Sequence, residues 1–152
     1  MIRAGNKADL PACVAILEAM RAKYEEYEPH FWKRSPNAAK MCEVYLGMLT
    51  AQDTTLFLVS ETTGKIDGFI TAKPQPVPPV FAPGATAFVD DFCVADDWAT
   101  TGGALLSEAR SQLKARGFEQ IIVVTACRNE AKMALLKQEN LSPASAWWVG
   151  KP

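Results

Sequence analysis

The chain predicts an α/β fold with a mixed central sheet and helices on both faces. Three observations carry this. Residues 87–117 read as a strand, a short glycine-containing loop and a helix. An apolar strand, residues 120–126 (QIIVVTA), follows at once. Ahead of them, two helical stripes and a hairpin-like pair of strands mix both element types along one chain. The expected order is β-α-α-β-β-β-α-β-α-β.

Taken in order, residues 2–4 make a short first strand. Asp9 and Pro11 mark a helix start, and Leu10, Cys13, Val14, Leu17 and Met20 form its apolar stripe. Residues 21–30 (RAKYEEYEPH) turn acidic and aromatic. Ser35-Pro36 signals a second helix, a cap followed by proline, with Met41, Cys42, Tyr45, Met48 and Leu49 as its apolar face. Residues 56–60 (LFLVS) and 66–73 (IDGFITAK) are the strands of a hairpin, with a loop of about four residues between them. Pro74, Pro76, Pro78, Pro79 and Pro83 impose an extended loop, in which Phe81 is a candidate lid residue.

The strand at residues 86–94 is rich in β-branched and aromatic residues and stops at Asp96-Asp97. A helix begins near Thr101. It has Leu105, Leu106, Ala109 and Leu113 on one face, and Arg116 and Gly117 close it. A glycine loop between strand and helix is an anion-binding arrangement, because unpaired N–H groups and the helix dipole point into it. The apolar middle of residues 120–126 fits a strand covered on both faces. Residues 129–138 form the last helix, with Met133, Leu136 and Ala134 turned inward. Residues 146–149 (AWWV) form the final strand, which puts one indole on each face, one in the core and the other at a dimer surface or the cleft.

Length and composition exclude several classes. The 152 residues suit one domain spanning 1–152, long enough to bury about two-thirds of its unfolded surface. A net charge of −1 gives no electrostatic case for nucleic acid. No apolar run approaches the ~20 residues that cross a bilayer, and residues 1–10 lack a signal-peptide core. The expected location is cytoplasmic. Cys13, Cys42, Cys93 and Cys127 lie far apart beside a single histidine, so no metal site is expected and four buried free thiols are.

Three local features resemble the GNAT-type N-acetyltransferase superfamily along essentially the whole chain. VDDFCVADDW is similar to its fourth strand and the turn that follows. ATTGGALL is similar to its acetyl-CoA pyrophosphate loop. NEAKMALLKQENL is similar to its asparagine, helix, then glycine-phenylalanine pattern, with Asn129, Asn140 and Leu141 at the matching places. The family loop reads glutamine or arginine, two residues, glycine, one residue, glycine or alanine. Two registers fit: Ala99, Gly102 and Ala104, or Asp97, Thr100 and Gly102. The second keeps Leu105 and Leu106 where the family has its apolar pair. In either register the polar or basic first residue is missing, and Asp96 and Asp97 stand in the loop. Leu136 replaces the tyrosine that protonates the departing CoA sulfur in many members.

The resemblance implies acetyl-CoA as co-substrate. Its diphosphate would rest on the backbone of Thr100, Thr101, Gly102 and Gly103, and its pantetheine arm would pair with Phe92, Cys93 and Val94. The Val94 N–H would polarise the thioester carbonyl, and Asn129 would belong to the same site. Arg128 and Lys132 are candidates to reach the nucleotide phosphates. Asp90 and Asp91 are the candidate base, or hold the incoming ammonium. Alternation would turn them to opposite faces, and Asp91 is better placed by family position. Their plain alternative is a strand edge paired with a nearby Lys or Arg. Tyr24, Glu25, Tyr27 and Trp32 lie where the family places its acceptor, and an acidic, aromatic wall suits a cationic amine; a solvated helix end is the alternative. His30, the one histidine, belongs to the same stretch or simply to the surface.

The expected function is therefore N-acetyl transfer from acetyl-CoA to a primary amine of a small molecule or peptide, by a protein free to dimerise. The alternatives are a GNAT-fold module without catalysis that binds CoA or a partner, and a ligand-binding domain that uses the cleft without CoA.

Overall fold

The structure, a computed structural model, describes residues 1–152. Its elements are β1 (Ile2–Ala4), α1 (Leu10–Tyr27), α2 (Ala38–Thr50), β2 (Leu56–Thr62), β3 (Lys65–Pro74), β4 (Thr86–Val94), α3 (Gly103–Ala115), β5 (Gln120–Val123) and α4 (Glu130–Gln138). A short 3-10 turn, Lys7–Asp9, leads into α1, and a π-type turn, Trp98–Gly102, leads into α3. The five strands lie in sequence order, β1-β2-β3-β4-β5. All neighbours are antiparallel except β4 and β5, which are parallel and joined by α3.

Alternation along the central strands splits the core into two layers. Leu56 and Leu58 of β2, Ile70 of β3 and Val89 and Phe92 of β4 face α3 and α4. There they meet Leu105, Leu106, Ala109, Leu113, Leu135 and Leu136. Phe57 and Val59, Phe69 and Cys93 face the other way, against Leu10, Cys13, Val14 and Leu17 of α1 and Cys42 and Leu46 of α2. The predicted stripe of α3 is thus buried in full.

Several expectations are revised. The hairpin turn has two residues, Thr63 and Gly64, both at positive φ, which is the geometry that matches strand twist. The α2 helix starts after Asn37, two residues beyond the Ser35-Pro36 signal, and Ser35 contributes a carbonyl to the Ala38 N–H. Met41, Tyr45 and Met48 of α2 are exposed, whereas Leu46 is buried. In α4, Leu135 is buried and Ala134 exposed. Of the four cysteines, Cys127 is exposed.

The largest revision concerns the end of the chain. Residues 146–149 form no strand, and Trp147 and Trp148 are 84% and 95% exposed. With no strand beside it, β5 stops at Val123 and is the edge of the sheet, half-exposed along its length. The left-handed helix ends hold as expected: Gly117 and Asn140 have positive φ, and the Leu141 N–H donates to the Leu136 carbonyl.

The N-terminus is tied down by charge. The Arg3 guanidinium grips both oxygens of Asp9 at 2.8 Å and also reaches Glu61. Asp9 accepts the Asn6 N–H as well. The paired guanidinium holds the Asp9 carboxyl below its usual range. A carboxylate depressed in this way stabilises the fold above its unfolded pKa, and the contribution is lost as pH falls through the folded value. We expect Asp9→Ala to cost about 1–3 kcal/mol at pH 7 and to cost much less below pH about 3, where the wild-type carboxyl is protonated. Thermal melts of both proteins at the two pH values check this.

Candidate active site

The site forms where β4 and β5 part. The last rung between them is Val89 with Val123, yet β4 continues to Val94. On its other edge β4 carries an irregularity against β3. Ile70 pairs with Phe92 and Ala72 with Val89, so Asp90 and Asp91 together oppose Thr71. This is a β-bulge. The extra residue cancels the expected alternation and places both aspartates on the α1/α2 face. The Asp91 N–H donates to the Thr71 hydroxyl at 3.1 Å.

The two acids then differ in company. Asp90 is committed to its neighbours: its carboxylate accepts from Lys73 Nζ at 3.1 Å and from the Tyr45 hydroxyl of α2. Asp91 has no direct ion-pair partner. It keeps some surface, but the protein around it strips enough hydration that burial pushes its carboxyl up to about 6, against the pull of nearby Arg21.

The gap between the strands is bridged by Lys132, which is 2% exposed. Its ammonium donates to the Phe92 carbonyl of β4 and the Val124 carbonyl beyond β5, both at 3.0 Å. It also lies 5.1 Å and 5.3 Å from the ring centres of Phe92 and Trp98. The expectation that Lys132 reaches toward phosphates is therefore wrong: the side chain turns into the fold. Arg128 is likewise engaged, donating to the Tyr27 carbonyl at 2.6 Å. The Phe92 carbonyl faces the gap, so alternation sends the Val94 N–H the same way, past the last rung.

A cleft of about 410 Å³ opens there. Its walls come from Met20, Lys23 and Tyr27 of α1, Val94 at the end of β4, Trp98 and the start of α4. Asn129 also lines it, but as a cap: its side chain accepts from the Lys132 N–H at 3.2 Å and donates to the Tyr24 hydroxyl at 3.2 Å. Cys93 is fully buried, with a thiol raised by burial, and contributes backbone only.

The expected acceptor wall looks different from its sequence. Tyr24 is buried beneath the cleft, and Trp32 packs on it at 5.1 Å between ring centres. Tyr27 lines the cleft. Glu25 is held by Arg34 at 2.7 Å, and Glu18 by Arg21 at 3.0 Å. The second hollow, about 190 Å³, is lined by Arg21, Lys33 and Arg34 with Phe31 and Trp32. It is a cationic and aromatic surface, and Glu25 of the expected wall is paired with Arg34. His30 lies on the surface outside both hollows.

Solved structures share this architecture from end to end. A mutant of the BH1408 protein from Bacillus halodurans superposes with a TM-score of 0.83, at 14% identity, over 100% of this chain and 99% of that one. An aminoglycoside 6'-N-acetyltransferase from Acinetobacter haemolyticus gives 0.72 at 12% identity, over 100% and 98%. A ribosomal-protein-alanine N-acetyltransferase from Brucella melitensis biovar Abortus 2308 gives 0.65 at 17%, over 99% of each. The chain has the GNAT fold. No family model matches the sequence, and no curated protein sequence does.

Within the GNAT fold, the loop before α3 is already filled. The Asp97 carboxylate accepts the Thr100 N–H at 2.9 Å, and the Asp97 carbonyl accepts the Gly102 N–H at 3.1 Å. The Gly103 N–H is taken by the Trp98 and Thr100 carbonyls. The hydrogen bonds from Thr100 hold the Asp97 carboxyl below its usual range. The amides of Thr100, Gly102 and Gly103 are thus not waiting for a ligand. Thr101 belongs to the same turn, where its methyl packs close to Gly68. Leu136 is buried core and offers no proton. The residue that sequence reasoning misplaced is Lys132, whose only signal was its position one helical turn before Leu136.

Asp97→Ala removes the internal anion. We expect a lower melting temperature, from loss of the cap, together with about two- to fivefold tighter binding of inorganic pyrophosphate. Calorimetric titration of both proteins checks this.

Proposed function

We propose that the chain is an acyl-CoA-dependent N-acyltransferase acting on a primary amine, and that Asp91 handles the amine's proton. The observation that carries the proposal is a carboxyl raised to about 6 by burial, on a bulge beside the point where two parallel strands part. Perturbed carboxyls at such places mark sites more often than chance.

The fit to acetyl-CoA is good at the acyl end. Val94 lines the cleft with the apolar edges of Met20 and Trp98, and alternation aims its N–H into the strand gap. At the phosphate end, Asp97 must give way. When bound, acetyl-CoA supplies an acetyl group activated as a thioester. Everything else is the work of this chain. Val94 N–H donates to the carbonyl oxygen as it gains charge. Asp91 holds the incoming ammonium and takes one proton from it, which frees the nitrogen lone pair; the N–C bond then forms as the C–S bond breaks, and the nitrogen's second proton passes to water. A carboxyl at about 6 rather than the ordinary value of about 3.9 makes that transfer less uphill. The electron pair leaves on sulfur. With Leu136 in place of a tyrosine, the thiolate takes its proton from water; its reference pKa of about 8.5 makes it a tolerable leaving group.

A second reading has its own support: a GNAT-fold module that binds without turnover. Asp97 in the loop and Lys132 on the Phe92 carbonyl occupy two places where a CoA molecule would bind.

Two measurements decide between them. Titration with acetyl-CoA, followed by turnover against a panel of amines, is the first; binding without turnover on any amine favours the module. Asp91→Asn is the second. We expect kcat to fall about 10²- to 10⁴-fold with unchanged acetyl-CoA affinity. Wild-type kcat/KM should rise with pH through about 6, the value at which Asp91 ionises, and the variant should lose that limb. The same variant should be more stable at pH 7. A raised carboxyl pKa disfavours the folded state above it, so removing the charge relieves on the order of 2–3 kcal/mol. An acid kept for structural pairing would show the reverse.

A further inference from the structure

The hollow of about 190 Å³ has no part in the chemistry assigned to Asp91 and Val94. Arg21 comes to it from α1, Phe31, Trp32, Lys33 and Arg34 from the connection that follows, and Ala38 from the start of α2. Three of these side chains are cations. Two of them are paired, but neither is used up. Arg21 Nη1 donates to Glu18 at 3.0 Å, and Arg34 Nε to Glu25 at 2.7 Å. A guanidinium has five N–H donors, so most of each fork stays open. Lys33 is exposed and joins no ion pair.

Arg21 ties this hollow to Asp91. The bulge sets Asp91 on the sheet face that α1 and α2 cover, and of the cations around it Arg21 acts on it most strongly. One guanidinium thus serves both places. Glu18 and Glu25 answer two of the three cations in the hollow. The charges left without a direct partner are Asp91 and Lys33, and they are opposite in sign. A ligand that satisfies both carries an ammonium and one negative charge. Phe31 and Trp32, edge to face at 4.7 Å, set ring surface beside the cations for the carbon frame between those two charges.

We infer that the amine substrate also carries a carboxylate, as a free amino acid does, with its ammonium at Asp91 and its carboxylate in the hollow of Arg21, Lys33 and Arg34. The inference rests on the acyltransferase reading and names the substrate class for it. Guanidinium forks match a planar carboxylate two bonds at a time. One uncompensated cation matches one negative charge, not the two of a phosphate monoester. A polycationic amine would meet like charge at Lys33, which excludes it by repulsion.

The test is turnover with acetyl-CoA on matched pairs, each amino acid against its own carboxamide. Phenylalanine, leucine, glutamate and β-alanine serve as the acids. The carboxamide keeps the shape and the amine and removes only the charge. For at least one pair the acid should be preferred in kcat/KM by about ten- to a hundredfold, the range of a hydrogen bond to a charged group. Lys33→Glu should invert that ranking, raising KM for the acid and increasing turnover of the carboxamide. A gain on one member of a pair is a result that a misfolded chain cannot give. Carboxamides that match or beat their acids in every pair overturn the inference, leave the acyltransferase reading standing and point to a peptide amine. An acid preference that survives Lys33→Glu unchanged also overturns it. No turnover on either member of any pair removes the acyltransferase reading and this inference with it.

Discussion

Lys132 places an ammonium where β4 and β5 separate, and the shape of the cleft follows from how that charge is satisfied. Burying an ammonium is costly unless it is hydrogen-bonded. Here it finds the carbonyls of Phe92 and Val124 at 3.0 Å and two aromatic faces. Those carbonyls lie past the last rung of the ladder and need a donor in turn. The strands are thus held apart at the width of one ammonium instead of closing on each other. Lys132 is rooted in α4, whose Leu135 and Leu136 sit in the core below. Leu135 also presses on the loop before α3: a Cβ at Gly102 would stand 2.9 Å from Leu135 Cδ2. The gap, α4 and the loop are one packed unit.

Most of the fold was legible in the sequence, because its long elements state their period clearly. Leu105, Leu106, Ala109 and Leu113 recur at helical spacing and are all buried. The three central strands are largely apolar runs bounded by turn residues. The failures fall where a local pattern has two meanings. On α2 apolar residues occupy two faces, so periodicity alone could not say that Leu46 goes in while Met41 and Met48 stay out. At residues 146–149 the propensity is that of a strand, but no rung is offered to it, and propensity without a partner does not make a strand. The same missing neighbour leaves β5 exposed where an all-apolar run suggested cover on both sides.

The site was legible in its parts and not in its pairings. The adjacent acids Asp90 and Asp91 stood out because two carboxylates in mid-strand need a reason. Strict alternation then assigned them opposite faces, and the bulge across from Thr71 undid that. A bulge leaves no mark in these residue types. Glu25 looks like part of an acidic wall in the sequence until Arg34, from the loop after the same helix, folds back onto it. Sequence shows which charges are available; only geometry shows which are already spent on each other.

Asp97 raises the matching question for any anionic ligand. Its carboxylate already sits against the Thr100 N–H, doing for the loop what a bound phosphate would do. Ligand entry is then an exchange of one anion for another, and the affinity is a difference between two favourable interactions. The internal anion has the advantage of tethering, since its effective concentration is set by three residues of chain. A diphosphate has the advantage of greater charge, but no Lys or Arg stands in the loop to use it. Binding energy must then come chiefly from the cleft end, where Val94, Met20 and Trp98 surround the space beside the strand gap. On the proposed reading, a site weighted in this way would grip the acyl and pantetheine end first and hold the nucleotide loosely. On that reading, discrimination between ligands falls in the cleft around Val94, Met20 and Trp98 rather than at the loop.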